Sequence, residues 1–153
     1  MPGDKLGDAE AWHLTDLVGA SYVALAAIAG DAAAPYAVTL AELVAIAVLA
    51  QHPGGIGQTE WGRLQGVSRQ RAHVVARTLE ARGLVSVRRH GRDSTVSLSR
   101  SGRRLTERMR PDVGGKLASA MAQMRPARAR ELAVLLEELL ASVTADRDGV
   151  QVG

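Results

Sequence analysis

The sequence contains no cysteine and no phenylalanine, and its aromatic residues amount to two Trp and two Tyr in 153. Without thiols there is no disulfide framework, no thiolate zinc site, no cysteine nucleophile and no thiol redox switch, so a reducing, cytoplasmic setting is the expectation. Without bulky aromatics the core has to be assembled from Ala, Leu and Val, small side chains that suit closely packed helices. Long apolar runs are missing as well. Residues 18–29 are interrupted by Ser21 and residues 40–50 by Glu42, and both fall short of the roughly 18–20 residues that cross a bilayer. Residues 1–10 are acidic and lack a basic stretch followed by an apolar one, so neither a signal peptide nor a membrane partner is expected.

Catalytic signatures are also absent. There is no Gly-x-Ser-x-Gly, no phosphate-cradling glycine-lysine loop and no His-Glu-x-x-His. The stretch Gly55-Ile56-Gly57 begins like a dinucleotide loop, but Glu60 stands where the third glycine belongs and no strand is expected before it. None of the four histidines, 13, 52, 73 and 90, has another at i+3 or i+4, and His13 with Asp16 gives two ligands without a third. An enzyme, a metal site and a bound cofactor are therefore not expected.

Arginine is abundant, 17 residues against two lysines, and it is unevenly placed. Residues 58–110 hold 13 Arg and four acidic residues, a net +9, while the rest of the chain is net −6, which together make the formal +3. A basic middle flanked by acidic ends points to a central segment that meets a polyanion. With 46% hydrophobic and 23% charged residues the chain reads as one globular domain.

Helical spacing of Leu14, Leu17, Val18, Leu25 and Ile28, with a second row at Trp12, Gly19, Tyr22, Val23 and Ala26, predicts a first helix over residues 8–29 that is apolar almost all round and ends at Gly30-Asp31. Thr39 reads as the N-cap of a buried helix over residues 40–51, stopped by Pro53-Gly54-Gly55. After residue 84 the period changes from 3.6 to 2. Residues 85–87 and 95–98 alternate apolar and polar around a charged tip at residues 88–93, a β-hairpin. Ser99 caps a helix carrying Leu105, Met109, Val113, Leu117 and Met121, which Pro111 and Gly114-Gly115 are expected to bend or fray. Pro126 opens a last helix with a leucine stripe at Leu132, Leu135, Leu136, Leu139, Leu140 and Val143, and residues 146–153 read as a frayed tail.

Residues 58–84 read as two helices around a tight turn at Gly66-Val67-Ser68, and residues 58–75 supply every part of a helix-turn-helix. Trp61 and Leu64 are expected to face inward, Gly62 to admit the second helix, Gly66 to make the turn and Ser68 to cap the second helix. Ala72, Val75 and Leu79 form its buried side, which leaves Arg69, Gln70, Arg71, His73, Val74 and Arg77 on the outward arc. Arg and Gln can each make two hydrogen bonds to guanine or adenine edges, and they stand in the turn that reaches the major groove. The hairpin that follows carries Arg88, Arg89 and Arg92 at its tip, placed to lie along the backbone or enter the minor groove. The alternative is a winged-helix module that binds protein, but such a surface would be expected to carry exposed aromatics.

At this point the sequence resembles the MarR family (multiple antibiotic resistance regulators) of winged helix-turn-helix transcription factors. The resemblance is carried by Thr39-Leu40, residues 56–64, Gly66-Val67-Ser68-Arg69-Gln70, the run Leu79-Glu80-Ala81-Arg82-Gly83-Leu84-Val85 and Leu98-Ser99-Arg100-Ser101-Gly102. Arg92 falls on the family's wing arginine, while the usual acidic residue two places earlier is His90 here, with Asp93 as the alternative partner. The resemblance implies a mainly α fold with a small β-hairpin wing (α+β), one domain over residues 1–153. Its DNA-binding part would be residues 38–102, and residues 8–30 and 103–145 would be dimerisation helices. It implies double-stranded DNA as partner: a homodimer, expected to be a repressor, on a palindromic operator, with release by a small effector. Leu14, Leu17, Leu132, Leu136, Leu139 and Val143 are the expected dimer interface, an assignment the leucine stripe and the all-round apolar first helix also require. Trp12, His13, Tyr22 and Tyr36 are the expected lining of an effector pocket. The DNA-contacting set is Ser68, Arg69, Gln70, Arg71, His73, Arg77, Arg88, Arg89 and Arg92.

Overall fold

The computed structural model describes residues 5–150, with side chains through Asp146. The element order is α1 (Asp8–Ala33), a 3-10 turn (Ala34–Tyr36), α2 (Leu40–Ala50), β1 (Ile56–Gly57), α3 (Gln58–Leu64), α4 (Arg69–Ala81), β2 (Val85–His90), β3 (Asp93–Leu98), α5 (Arg100–Ala120) and α6 (Pro126–Val150). The strands form an antiparallel sheet in the order β1-β3-β2. This is the mainly α, winged helix-turn-helix architecture expected from the sequence. The chain divides into two compact units, one ending at Leu117 and the other beginning at Ala118, in the last turn of α5.

In the first unit a core of small aliphatic side chains surrounds one large one. Trp61 is fully buried with Ile46, Leu49, Leu79 and Val96, and its indole N–H donates to the Ala45 carbonyl at 3.0 Å, so the one polar atom of the ring is satisfied. Leu105, Met109 and Val113 of α5 join this core. The caps are where the sequence places them. The Thr39 hydroxyl accepts from Glu42 N–H, Ser68 from Arg71 N–H and Ser99 from Gly102 N–H.

Five expectations are corrected by the structure. Gly30-Asp31 does not end α1. Ala33 is fully buried, Ala29 and Ala32 pack on the core, and this burial outweighs the modest helix penalty of one glycine. The stretch set aside as an incomplete dinucleotide loop is a third strand, with Ile56 paired to Val96 and Gly57 to Thr95. It is two residues long, too short to show a period. Strands β2 and β3 extend to His90 and from Asp93, so the tip shrinks to Gly91-Arg92, and Arg88 and Arg89 lie on a strand with alternate side chains on opposite faces. Finally, α5 does not fray at Pro111 or Gly114-Gly115 but runs on as one helix to Ala120, and α6 stays helical through Val150 where a frayed tail from 146 is expected. Residues 151–153 lie outside the described residues.

The terminal helices are different in kind. Only the last turns of α1 reach the core, while Trp12, Leu17, Tyr22 and Val23 are more than half exposed. Ser21 and Gly19 do not interrupt this helix, and residues 8–36 are long and apolar enough, by length and composition, to cross a membrane. The second unit is dominated by α6, whose Leu132, Leu135, Leu136, Leu140 and Val143 are each 42–66% exposed.

Candidate nucleic-acid interface

α3 and α4 meet at a contact that only glycine allows. A Cβ on Gly62 would stand 2.8 Å from the Cβ of Ala72, closer than two carbons tolerate. The chain then turns through Gly66, whose φ of 68° is open to glycine and costly for other residues. The close approach fixes the azimuth of α4. Ala72, Ala76 and Leu79 are buried, with Val75 half-buried beside them, so Ala76 takes the central inward position expected of Val75. Leu64, expected inside, is 44% exposed, because a seven-residue helix buries only the short face centred on Trp61 and Gly62.

At 100° per residue this azimuth sends Gln70, Val74 and Arg77, related by i, i+4 and i+7, into one row opposite the buried side. All three are exposed, as are Ser68, Arg69, Arg71 and His73. The ring Nδ1 of His73 accepts from the Gln58 side-chain amide at 3.3 Å, so His73 is joined to the start of α3. Arg71, Gln70, Val74 and Thr78 form one wall of an open groove of about 540 Å³, with Thr39 and Glu42 of α2 across from them.

The wing residues separate. Arg89 lies on the face of β2 shared with Val85 and Val87 and pairs with Glu80 of α4 at 3.2 Å, tying wing to helix. Arg88 lies on the opposite face, and Arg92 stands exposed in the two-residue turn. Among the described residues Asp93 does not pair with Arg92. It faces His90 across the ladder.

Sequence reasoning missed the support behind α4. Arg82, one residue past the helix, donates to the Glu42 carboxylate at 2.7 Å and to the Ala37 carbonyl at 2.8 Å. Ala37 has a φ of 54°, an unusual value for alanine that this bond helps to hold. Burial pushes the Glu42 carboxyl up, but the Thr39 N–H and the Arg82 guanidinium more than offset it, leaving the group below its usual range. No spacing rule connects residues 42 and 82, which meet only through the fold.

Tyr36 ties the 3-10 turn to α5. Its hydroxyl bonds to the Asp112 carboxylate and the Arg108 carbonyl of α5, and the Asp112 bond pushes the phenol up. Trp12, His13 and Tyr22 are exposed on α1. A cavity of about 430 Å³ opens instead between α2 and α5, walled by Leu43, Ile46, Met109 and Val113 with Arg110 and Gln51 among its polar groups, and none of the four residues expected in an effector pocket lines it.

Solved structures with this architecture agree on one family. The MarR family protein Rv2887 of Mycobacterium tuberculosis is similar at 31% identity, over 87% of this chain and 95% of that one, with a TM-score of 0.60. The chain belongs to the MarR family, a family of transcriptional regulators. The same Rv2887 solved in complex with DNA is similar at 29% identity over 82% of this chain and 96% of that one, TM-score 0.67. It has also been solved with salicylic acid and with p-aminosalicylic acid. A MarR family regulator from Rhodococcus sp. RHA1 shares the fold at TM-score 0.77 and 15% identity, over 87% and 96% of the two chains. No family model and no curated protein matches the sequence. Within the MarR fold the second helix of the helix-turn-helix is α4, and the wing is β2 and β3.

Proposed function

We propose that this MarR-family chain is a sequence-specific DNA-binding repressor that acts in the cytoplasm as a homodimer on a palindromic operator. The observation that carries the reading is α4 itself. Its buried face is locked by the Gly62 contact and its N-terminus capped by Ser68, so that Gln70, Arg71 and Arg77 project from the helix that enters the major groove in this architecture. Ser68, Arg69 and His73 flank that row, and Arg88 and Arg92 add backbone or minor-groove contacts. Arg89 acts through its pair with Glu80, as an anchor for the wing. Similarity to a protein solved with DNA supports this reading.

Leu14 and Leu17 on α1 and Leu132, Leu136, Leu139 and Val143 on α6 supply the dimer contacts, since one chain leaves most of them in water. On the same ground α1 packs against a second subunit rather than in a bilayer. Asp16 lies within its apolar stretch, and a charge is costly at membrane depth. For the effector, the α2–α5 cavity with Arg110 suits a small aromatic acid, a ligand class found on Rv2887. Trp12, His13 and Tyr22 stay candidates for a pocket that a second subunit completes.

The test is a gel shift with duplexes selected from a randomised pool. Specific retention should appear, with log K falling steeply against log salt as several phosphates are neutralised. Retention that ignores sequence, or that does not change between low and physiological salt, overturns the reading.

A further inference from the structure

The centre of the outward row of α4 is apolar. Val74 is 56% exposed between Gln70, one turn before it, and Arg77, nearly one turn after, and it forms the wall of the α2–α4 groove together with Gln70 and Arg71. Ala72, Ala76 and Leu79 of this helix point the other way, into the core, and Val75, which lines the same groove, is half-buried against it. Val74 has none of their contacts to keep, and a β-branched side chain on a solvent-facing helical position costs helix propensity relative to Ala, Arg or Gln. A polar or smaller residue would serve a merely solvated face better.

In the major groove one group rewards such a side chain. The C5-methyl of thymine is the only apolar feature among the base edges, and it meets aliphatic side chains while arginine and glutamine engage guanine and adenine. We propose that Val74 is a specificity-determining residue that recognises a thymine methyl next to the base read by Gln70 or Arg71. This rests on the reading of α4 as the helix that enters the major groove. The position is fixed by the Gly62–Ala72 contact, because a rotation of α4 by one residue would carry Val74 out of the central row.

The experiment uses the full-length protein and the tightest duplex selected from a randomised pool. Each thymine of a half-site is replaced in turn by deoxyuridine, which removes the methyl group and leaves base pairing intact. Affinities are then measured for wild type and Val74→Ala. One replacement should weaken wild type about fourfold, the effect expected for one methyl group lost from an apolar contact. Val74→Ala should lose a similar factor on the natural duplex and be largely insensitive to that same replacement, the coupling that marks a direct contact. Because Val74 is exposed, the variant keeps the core, and unchanged thermal melting verifies this. Tight, specific binding in which every replacement costs wild type and Val74→Ala the same overturns the assignment of Val74 and leaves α4 as the reading helix. A selection that yields no preferred sequence overturns both.

Discussion

In α4 the apolar residues Ala72, Ala76 and Leu79 are buried and the arginines face water, whereas in α6 Leu132, Leu135, Leu136, Leu140 and Val143 are all substantially exposed. Both helices carry apolar residues at helical spacing, buried in α4 and exposed in α6. The first unit explains why α4 has the sequence it has: Trp61, Leu49 and Val96 already form the surface against which its small residues close. Those leucines of α6 and Trp12, Leu17 and Tyr22 of α1 are exposed instead. Helix propensity alone does not require leucine at such positions. The contrast teaches that the apolar side of α4 is satisfied by its own unit, whereas the apolar residues of the terminal helices remain exposed.

The strongest way to break that contrast is to charge the α6 stripe. Leu136→Glu with Leu139→Glu should abolish dimerisation and operator binding while leaving α3 and α4 intact, because a single winged unit loses the second half-site and its effective concentration. Sedimentation with circular dichroism checks this. A folded double variant that sediments and binds as wild type does would assign the stripe another use.

The other half of the contrast is sharpened on α4. Gln70→Ala and Arg71→Ala should each cost roughly 1–3 kcal/mol on the operator and little on random DNA, the signature of a lost base contact. Equal losses on both kinds of DNA would instead make these two residues phosphate anchors. Arg92→Ala is expected to behave in that latter way, with a smaller and sequence-independent loss and a salt slope reduced by about 1.

What the sequence disclosed follows the same division. The helices, the caps at Thr39, Ser68 and Ser99, the glycine contact at Gly62 and the hairpin were legible, because each is set by residues close in sequence or by a regular period. Strand β1 was not, since two residues have no period and Ile56 becomes a strand only by pairing with Val96, forty residues on. The length of α1 was misjudged for a related reason: Gly30 reads locally as a stop, and the burial of Ala33 that overrides it is tertiary. On the candidate interface, the outward row was legible from the helical period. The separate placements of Arg88, Arg89 and Arg92 were not, because they depend on where the strands end and on Glu80, nine residues from Arg89. The Glu42–Arg82 pair bridges forty residues and has no local signature at all.

Helix placement itself is open to test at Gly62. Gly62→Ala should destabilise the fold by about 1–3 kcal/mol through overpacking against Ala72 and displace α4. Adding Ala72→Gly should recover part of the loss by removing the opposing methyl group, less the helix cost of a second glycine. Urea melts of the single and double variants provide the readout. Additive losses would mean that the 2.8 Å approach is not what limits the site.

The smallest expected effect is the pH dependence that Glu42 confers on the support of α4. Its carboxylate is held below its ordinary value of 4.5: burial alone would raise it, and the Thr39 N–H and Arg82 more than compensate. A carboxyl with a folded pKa below the unfolded one contributes stability that is fully present above the unfolded value and lost as pH falls through the folded value. The Glu42–Arg82 contact should therefore hold unchanged from neutral pH down to about 4.5 and weaken below it, by an amount on the order of 1 kcal/mol for one hydrogen-bonded, partly exposed pair. Glu60 is also held low, by Arg63, so wild type alone reports a sum over several carboxylates. The informative quantity is the stability difference between wild type and Glu42→Gln, measured by urea unfolding at successive pH values from 7 to 3. That difference should be constant at the upper end and shrink toward the lower end. If it stays the same down to pH 3, the carboxylate charge contributes nothing there, and the buried position of residue 42 rests on the Thr39 capping bonds alone.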